Sequence, residues 1–419
     1  MRTMALGKVS IKAIGCEKTV GKLNVDRIIW LLTVILFASI IIFAESGGAM
    51  VLFGITIIIF FLSTLQARSL RLKITRYQGM VLLFATYCAI TALWSENSNN
   101  ALSVSFAIIK MLICTTVIYT HYSKFESIEQ ITRAVMWAGY IVVIYSFVYY
   151  GPRQTMLMLV SSGRLENAFA NVNTIAMLAA TSVMISVFFM AINKRINVLL
   201  IALDLISLLL ILASGSRKAL VLMIAGVIMI IMFKSATKNV IKTVTRWIGL
   251  GIILFFVFVF LLSLPVFDSI NVRMKGLVAF VTGNGEMDNS AWVRQNYIRI
   301  GIEQFKKTPL IGMGMNNTYL ISPQVVGKST YLHNNFVELL AGGGIVGFIL
   351  FYRIYVFLLA KFWESRKCFD DYTRLCIVWI AIHFMMHYGA VVYYYKETYV
   401  YLTILFLQTE KINRVGVPQ

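Results

Sequence analysis

Apolar residues in this chain are bunched into blocks of roughly 17–20 residues, the length an α-helix needs to cross a hydrocarbon core, with short polar stretches between them. Windows over 28–44, 49–65, 77–94, 101–119, 134–150, 174–192, 196–212, 220–233, 247–264, 336–355, 375–392 and 398–407 predict about twelve such helices. The pattern reads as an all-α polytopic membrane protein with no internal repeat and no low-complexity tract. Its expected parts are a basic tail (1–27), helices 1–9 (28–264), one large polar loop (265–335), helices 10–12 (336–407) and a short tail (408–419). Within the loop, Trp292, Tyr297, Ile300 and Gln304 fall on helical spacing beside Arg294 and Arg299, and Pro309 and Gly312 end the run.

Composition supports the membrane class. Hydrophobic residues make up 59% of 419 positions and charged ones 13%, against about 25% charged in soluble domains. A net charge of +20 would suit a nucleic-acid binder, but most Lys and Arg sit in short loops between apolar blocks, where orientation in the bilayer explains them. With the N-terminus inside, the cytoplasmic tails and loops hold 24 basic residues and the outer segments 12. Both termini are therefore expected in the cytoplasm. Positive-inside sorting does not require the outer twelve, which concentrate in 151–173, 213–219 and 265–335.

The N-terminal region lacks a small-residue cleavage site after the first apolar block, so a retained first helix is expected. Cys16, Cys88, Cys114, Cys368 and Cys376 show no paired metal spacing and read as small apolar residues. No G-x-x-x-x-G-K-[ST] loop or G-x-S-x-G elbow occurs, and no cytoplasmic domain is large enough for a nucleotide sugar. Chemistry on the outer face would need a lipid-carried, already activated substrate.

The polar residues that such chemistry could use cluster near the outer boundary. His333 lies just before an apolar helix, in Tyr331-Leu332-His333-Asn334-Asn335. The helix dipole and nearby arginines should keep its imidazole neutral, as a general base or simply as a cap. Arg217 follows an apolar block in Ser214-Gly215-Ser216-Arg217, as a snorkelling anchor or a bidentate phosphate ligand. Arg294 and Arg164 have the same two readings. Lys110 and Asp204, each mid-span, suggest a functional charge or a buried ion pair. His383 and His387, spaced i,i+4, have no carboxylate or cysteine beside them, and no metal is expected there. Gly342, Gly343, Gly344 and Gly347 suggest close helix approach.

Three ordered segments carry a resemblance. They are Ser214-Gly215-Ser216-Arg217-Lys218-Ala219-Leu220, then Val293-Arg294-Gln295-Asn296-Tyr297 leading to Thr308-Pro309-Leu310-Ile311-Gly312-Met313-Gly314, then Leu332-His333-Asn334-Asn335-Phe336. Together, over about residues 160–360, they resemble the bacterial O-antigen ligase and polysaccharide polymerase superfamily. The resemblance implies a GT-C-like membrane glycosyltransferase bundle in the inner membrane, with its active site facing the periplasm. It implies inverting transfer without metal or other cofactor, from a glycan on undecaprenyl diphosphate to a glycan acceptor. His333 then matches the family's base, and Arg217 and Arg294 match the arginines on the diphosphate. Arg164, Asn171 and Asn173 match a less constant element expected to touch substrate, and Lys218, Arg299, Asn334 and Asn335 stand beside the matched residues as further substrate contacts. The 18 residues between Gly314 and His333 are a short stretch for a ligase and favour a polymerase. The alternatives are a ligase acting on a lipid A core and a transporter or flippase of a lipid-linked glycan. Expected partners are the bilayer, the two glycans, a chain-length regulator and a flippase, with no nucleic acid.

Overall fold

The structure is a computed structural model that describes residues 16–44, 48–69, 71–124, 127–160, 165, 169–235, 289–366 and 369–415. The helices are α1 (Cys16–Ile42), α2 (Ala49–Ala67), α3 (Arg76–Ile90), α4 (Ser98–Lys124), α5 (Ile128–Tyr150), α6 (Pro152–Val160), α7 (Val172–Asn193), α8 (Val198–Ala213) and α9 (Arg217–Ser235). After them come α10 (Asn289–Lys307), α11 (Asn335–Glu364), α12 (Asp371–Gly389) and α13 (Lys396–Val415). Each expected apolar block within the described residues lies on a helix. The block at 247–264 and the loop up to residue 288 lie outside the described residues.

Six helices, α1, α2, α4, α5, α7 and α11, are long and apolar enough to cross a membrane among the described residues. The chain is an α-helical integral membrane protein. At 15 and 16 residues, α3 and α8 fall short of the usual ~20. The helices pack around α7, which touches α5, α8 and α9 and is apolar nearly all round. Small residues allow this approach: a Cβ on Gly139 of α5 would fall 1.8 Å from the Ser182 hydroxyl of α7.

One end of the bundle is sealed by charge. Lys73 Nζ lies 2.5 Å from Glu410 Oε2, Ser123 donates to the same oxygen, and Lys411 Nζ meets Asp370 Oδ2 at 2.9 Å. At the other end, the connections 91–97, 308–334 and 390–395 converge: Met315 N donates to Thr91 Oγ1, and Asn317 pairs with the Asn97 backbone in both directions.

The glycines of α11 do something other than the expected helix–helix approach. Gly344 (φ 61°, ψ −166°) breaks the helix, and the segment 309–314 docks into the break. Ala341 O and Gly342 O accept from Met313 N and Gly314 N, at 3.0 and 2.8 Å. Ile345 N and Val346 N donate to Pro309 O and Leu310 O, at 2.9 and 3.2 Å. Gly343 O accepts from the Tyr87 hydroxyl at 2.6 Å. A kink freed of its own ladder is tolerated where neighbouring protein satisfies the backbone, and here it does.

The expected intramembrane ion pair does not form. Asp204 accepts from the Tyr140 and Ser186 hydroxyls, at 2.5 and 2.8 Å, while Lys110 is exposed on α4. Two hydroxyl donors reach the carboxylate within the bundle and take the place of a cationic partner.

Candidate functional site

His333 is held from both sides by side chains that bind backbone. Asn334 caps α11, its Oδ1 accepting from Phe336 N at 3.0 Å and Val337 N at 3.1 Å. Glu338, fully buried in the first turn, accepts from Leu332 N at 2.8 Å and from the Thr318 hydroxyl. Between these clamps His333 adopts a left-handed backbone (φ 56°), sparsely populated for a residue with a side chain. Its ring stacks on Tyr297 of α10 at 5.8 Å and leans on Tyr331 at 4.3 Å. Asn335 faces the other way. Its Oδ1 accepts from Val392 N and Tyr393 N at 2.8 and 3.0 Å, and its Nδ2 donates to the Tyr352 hydroxyl at 3.0 Å. Tyr352 in turn bonds His387 Nδ1 at 3.1 Å.

The amphipathic helix expected in the loop forms as α10, with Tyr297 and Ile300 packed against Leu332, Val337 and Ala341. Trp292, expected on the same face, is largely exposed. The packing aims Arg294 at His333. From the start of α9 comes Lys218, which Gly389 leaves room for: a Cβ there would lie 2.8 Å from Lys218 Cε.

Two cavities meet at these residues. A polar one of about 410 Å³ is lined by Asn171, Asn173 and Thr174 of α7 with Tyr331, Tyr395 and Ala390. An apolar one of about 220 Å³ is lined by Val221, Leu222, Ile298, Met385 and Met386, with Arg217. Lys218, Arg294 and His333 line both. No carboxylate lines either cavity among the described residues. Burial first, then the charges of Lys218 and Arg294, push the His333 imidazole from 6.5 down to about 3. The helix dipole and arginines were the expected cause; burial leads instead.

The structure thus brings together His333, Arg217, Arg294, Lys218, Asn171 and Asn173. It does not bring Arg299 to them: that side chain is 65% exposed, 3.7 Å from Glu303 and 3.2 Å from Asn296 on its own helix. Asn334 and Asn335 line neither cavity, because their side chains are committed to backbone and to Tyr352. Arg164 lies outside the described residues. Glu338 carries only the signal of a lone carboxylate in an apolar helix, and Tyr331 and Tyr395 are hard to single out as cavity residues among 20 tyrosines. No group of three His, Cys, Asp or Glu able to hold a metal occurs among the described residues.

Residues 201–352 match the family model described as O-antigen ligase. No curated protein matches the chain. The matched segment starts in α8, breaks off in α11 after the kink, and takes in Arg217, Lys218, Arg294 and His333, while Asn171 and Asn173 precede it. Over this segment the match supports the resemblance to the O-antigen ligase and polysaccharide polymerase superfamily.

Proposed function

We propose that the protein is a polysaccharide polymerase of the bacterial inner membrane, built on about twelve spans in a GT-C-like bundle with both termini in the cytoplasm. It moves a growing glycan from undecaprenyl diphosphate onto the next lipid-linked repeat unit at the outer face, working beside a flippase and a chain-length regulator. The observation that carries this reading is the meeting of a polar and an apolar cavity at Lys218, Arg294 and His333. A lipid-linked glycan has the same division: sugar on one side, polyprenyl chain on the other, diphosphate between.

In this scheme His333 takes the proton of an acceptor hydroxyl. The oxygen bonds to the anomeric carbon of the donor, with inversion, as the bond from that carbon to the diphosphate oxygen breaks. Arg217 and Arg294, with Lys218, face the negative charge that develops on the leaving group, and preset cationic donors in a partly dry site favour such a transition state. Asn171 and Asn173 touch the sugars.

A ligase acting on a lipid A core is the second reading, favoured by the description of the matched family model. The 18 residues between Gly314 and His333 favour the polymerase. Incubation of the purified protein with a synthetic lipid-linked repeat unit separates the two. A ladder of products supports polymerisation, and turnover only when a lipid A core acceptor is added supports ligation. His333→Ala should abolish transfer while the protein still inserts and folds; transfer at the normal rate by that variant would remove His333 from the mechanism.

A further inference from the structure

The polar cavity has a wall that the scheme above leaves unused. Tyr331 and Tyr395 come from different connections, one two residues before His333 and the other at the entry to α13, yet both line the cavity beside His333. Their side chains lie close to one another on the cavity wall. Tyr394 supports Tyr395 edge-on at 5.4 Å. Both rings are partly exposed, whereas Tyr297 and Tyr393 nearby are buried in packing. Across the cavity stand the Asn171 and Asn173 amides and the Thr174 hydroxyl.

We propose that Tyr331 and Tyr395 form a stacking subsite for the acceptor sugar, which holds one of its hydroxyls toward His333. The inference rests on the transfer reaction proposed above and adds the element that selects the acceptor. A pyranose has an apolar C–H face and a rim of hydroxyls. It is matched by an aromatic surface on one side and by amides, which both donate and accept, on the other. The cavity, at about 410 Å³, lies within the range of small-ligand sites; it suits the terminal sugars of a glycan rather than a long chain. The Tyr331 ring, 4.3 Å from that of His333, is on the side where an acceptor hydroxyl must sit to give up its proton. Arg217 lies in the other cavity, on the side of the lipid diphosphate. Tyrosine also loses little conformational freedom on binding, having two side-chain torsions.

The test uses the full-length protein in nanodiscs and lipid-free oligosaccharide released by mild acid from the polysaccharide of the cell that makes it. Saturation-transfer NMR should show this oligosaccharide bound to the wild type, and Tyr331→Ala and Tyr395→Ala should weaken binding at least tenfold. Tyr331→Phe, which keeps the ring, should stay within threefold. In turnover, with the lipid-linked repeat unit as donor and the lipid-free oligosaccharide as acceptor, the alanine variants should raise KM for the oligosaccharide while KM for the donor stays within twofold. Unchanged glycan binding in both alanine variants, or a rise in donor KM alone, would overturn the subsite. If an alanine variant fails to fold, the leucine variant is measured against the same outcomes. A wild type that binds the oligosaccharide but transfers nothing from the donor would defeat the proposed reaction; the tyrosine variants would still decide the subsite.

Discussion

Asn334 and Asn335 are adjacent and chemically identical, yet their replacement should have very different consequences. Asn334 is an N-cap that serves two amides of its own helix end; alanine there should cost about 1 kcal/mol. Asn335 is fully buried and satisfies three groups: Val392 N and Tyr393 N on the 390–395 connection, and the Tyr352 hydroxyl further along α11. A buried polar group left without its partner costs about 1–3 kcal/mol, and losses around one residue are not additive. Interhelical hydrogen bonds inside bilayers also run toward the low end. We take about 3 kcal/mol for Asn335→Ala as the combined effect. For a chain of 419 residues the usual unfolding entropy converts each kcal/mol into about 1 °C. The assay is thermal unfolding in detergent at fixed scan rate, because unfolding of large proteins is often irreversible. Cys88, Cys114 and Cys376 are buried free thiols, so a thiol-reactive dye reports the transition directly. Asn335→Ala should unfold about 3 °C below the wild type and Asn334→Ala about 1 °C below. Asn335→Leu should be no better than Asn335→Ala, since it fills the space without supplying an acceptor. Equal shifts for the two alanine variants, or a larger one at Asn334, would refute the assignment of Asn335 as the clasp between α11 and the 390–395 connection.

Other expectations follow from the site and the kink. Arg217→Lys keeps the charge but loses the bidentate fork, so binding of a lipid diphosphate should weaken by roughly tenfold or more, the equivalent of a charge-assisted hydrogen bond; isothermal titration with undecaprenyl diphosphate measures it, and unchanged affinity would make Arg217 an interfacial anchor. His333 sits at about 3, below its ordinary 6.5, so its imidazole stays neutral as pH is lowered from 8 to 5. The kcat/KM for transfer should therefore show no acid inflection near 6.5, and one at that pH would contradict the argument. The stability that the neutral imidazole contributes is present above 6.5 and drains away as pH falls toward 3. Gly344→Ala forces a side chain onto a left-handed residue with its Cβ 2.3 Å from Leu310 O, so it should abolish the monodisperse peak in fluorescence-detected size exclusion. Gly54→Ala, with open space around it, should leave that peak unchanged.

The helices were legible because the bilayer imposes long apolar windows, and the windows at 49–65 and 174–192 fall within a few residues of α2 and α7. The break at Gly344 was not: three glycines advertise backbone freedom, but only tertiary structure shows that the 309–314 segment fills it. Within the site, the order of Arg217, Arg294 and His333 along the chain could be read, whereas the direction of each side chain could not. Arg299 follows Arg294 by five residues, about 140° around an ideal helix, so the periodicity itself argued that they face different ways. Glu338 carried little signal, and Asn335 read as a substrate contact, because residue type does not say whether a polar side chain serves the substrate or the backbone beside it.

The docking of 309–314 into the break in α11 also sets how this domain can be recombined. The two segments complete each other's backbone pairing through Met313, Gly314, Ile345 and Val346, and Tyr87 closes the remaining carbonyl from α3. They behave as halves of a single part separated by some thirty residues of loop. A chimera that exchanges the intervening loop alone keeps both halves and should remain assembled. One that exchanges either half alone should disrupt that pairing. The natural crossover points for redesigning acceptor choice therefore lie between Gly314 and Asn334, inside the loop that bears Tyr331, and not at the helix ends where the hydropathy pattern would place them.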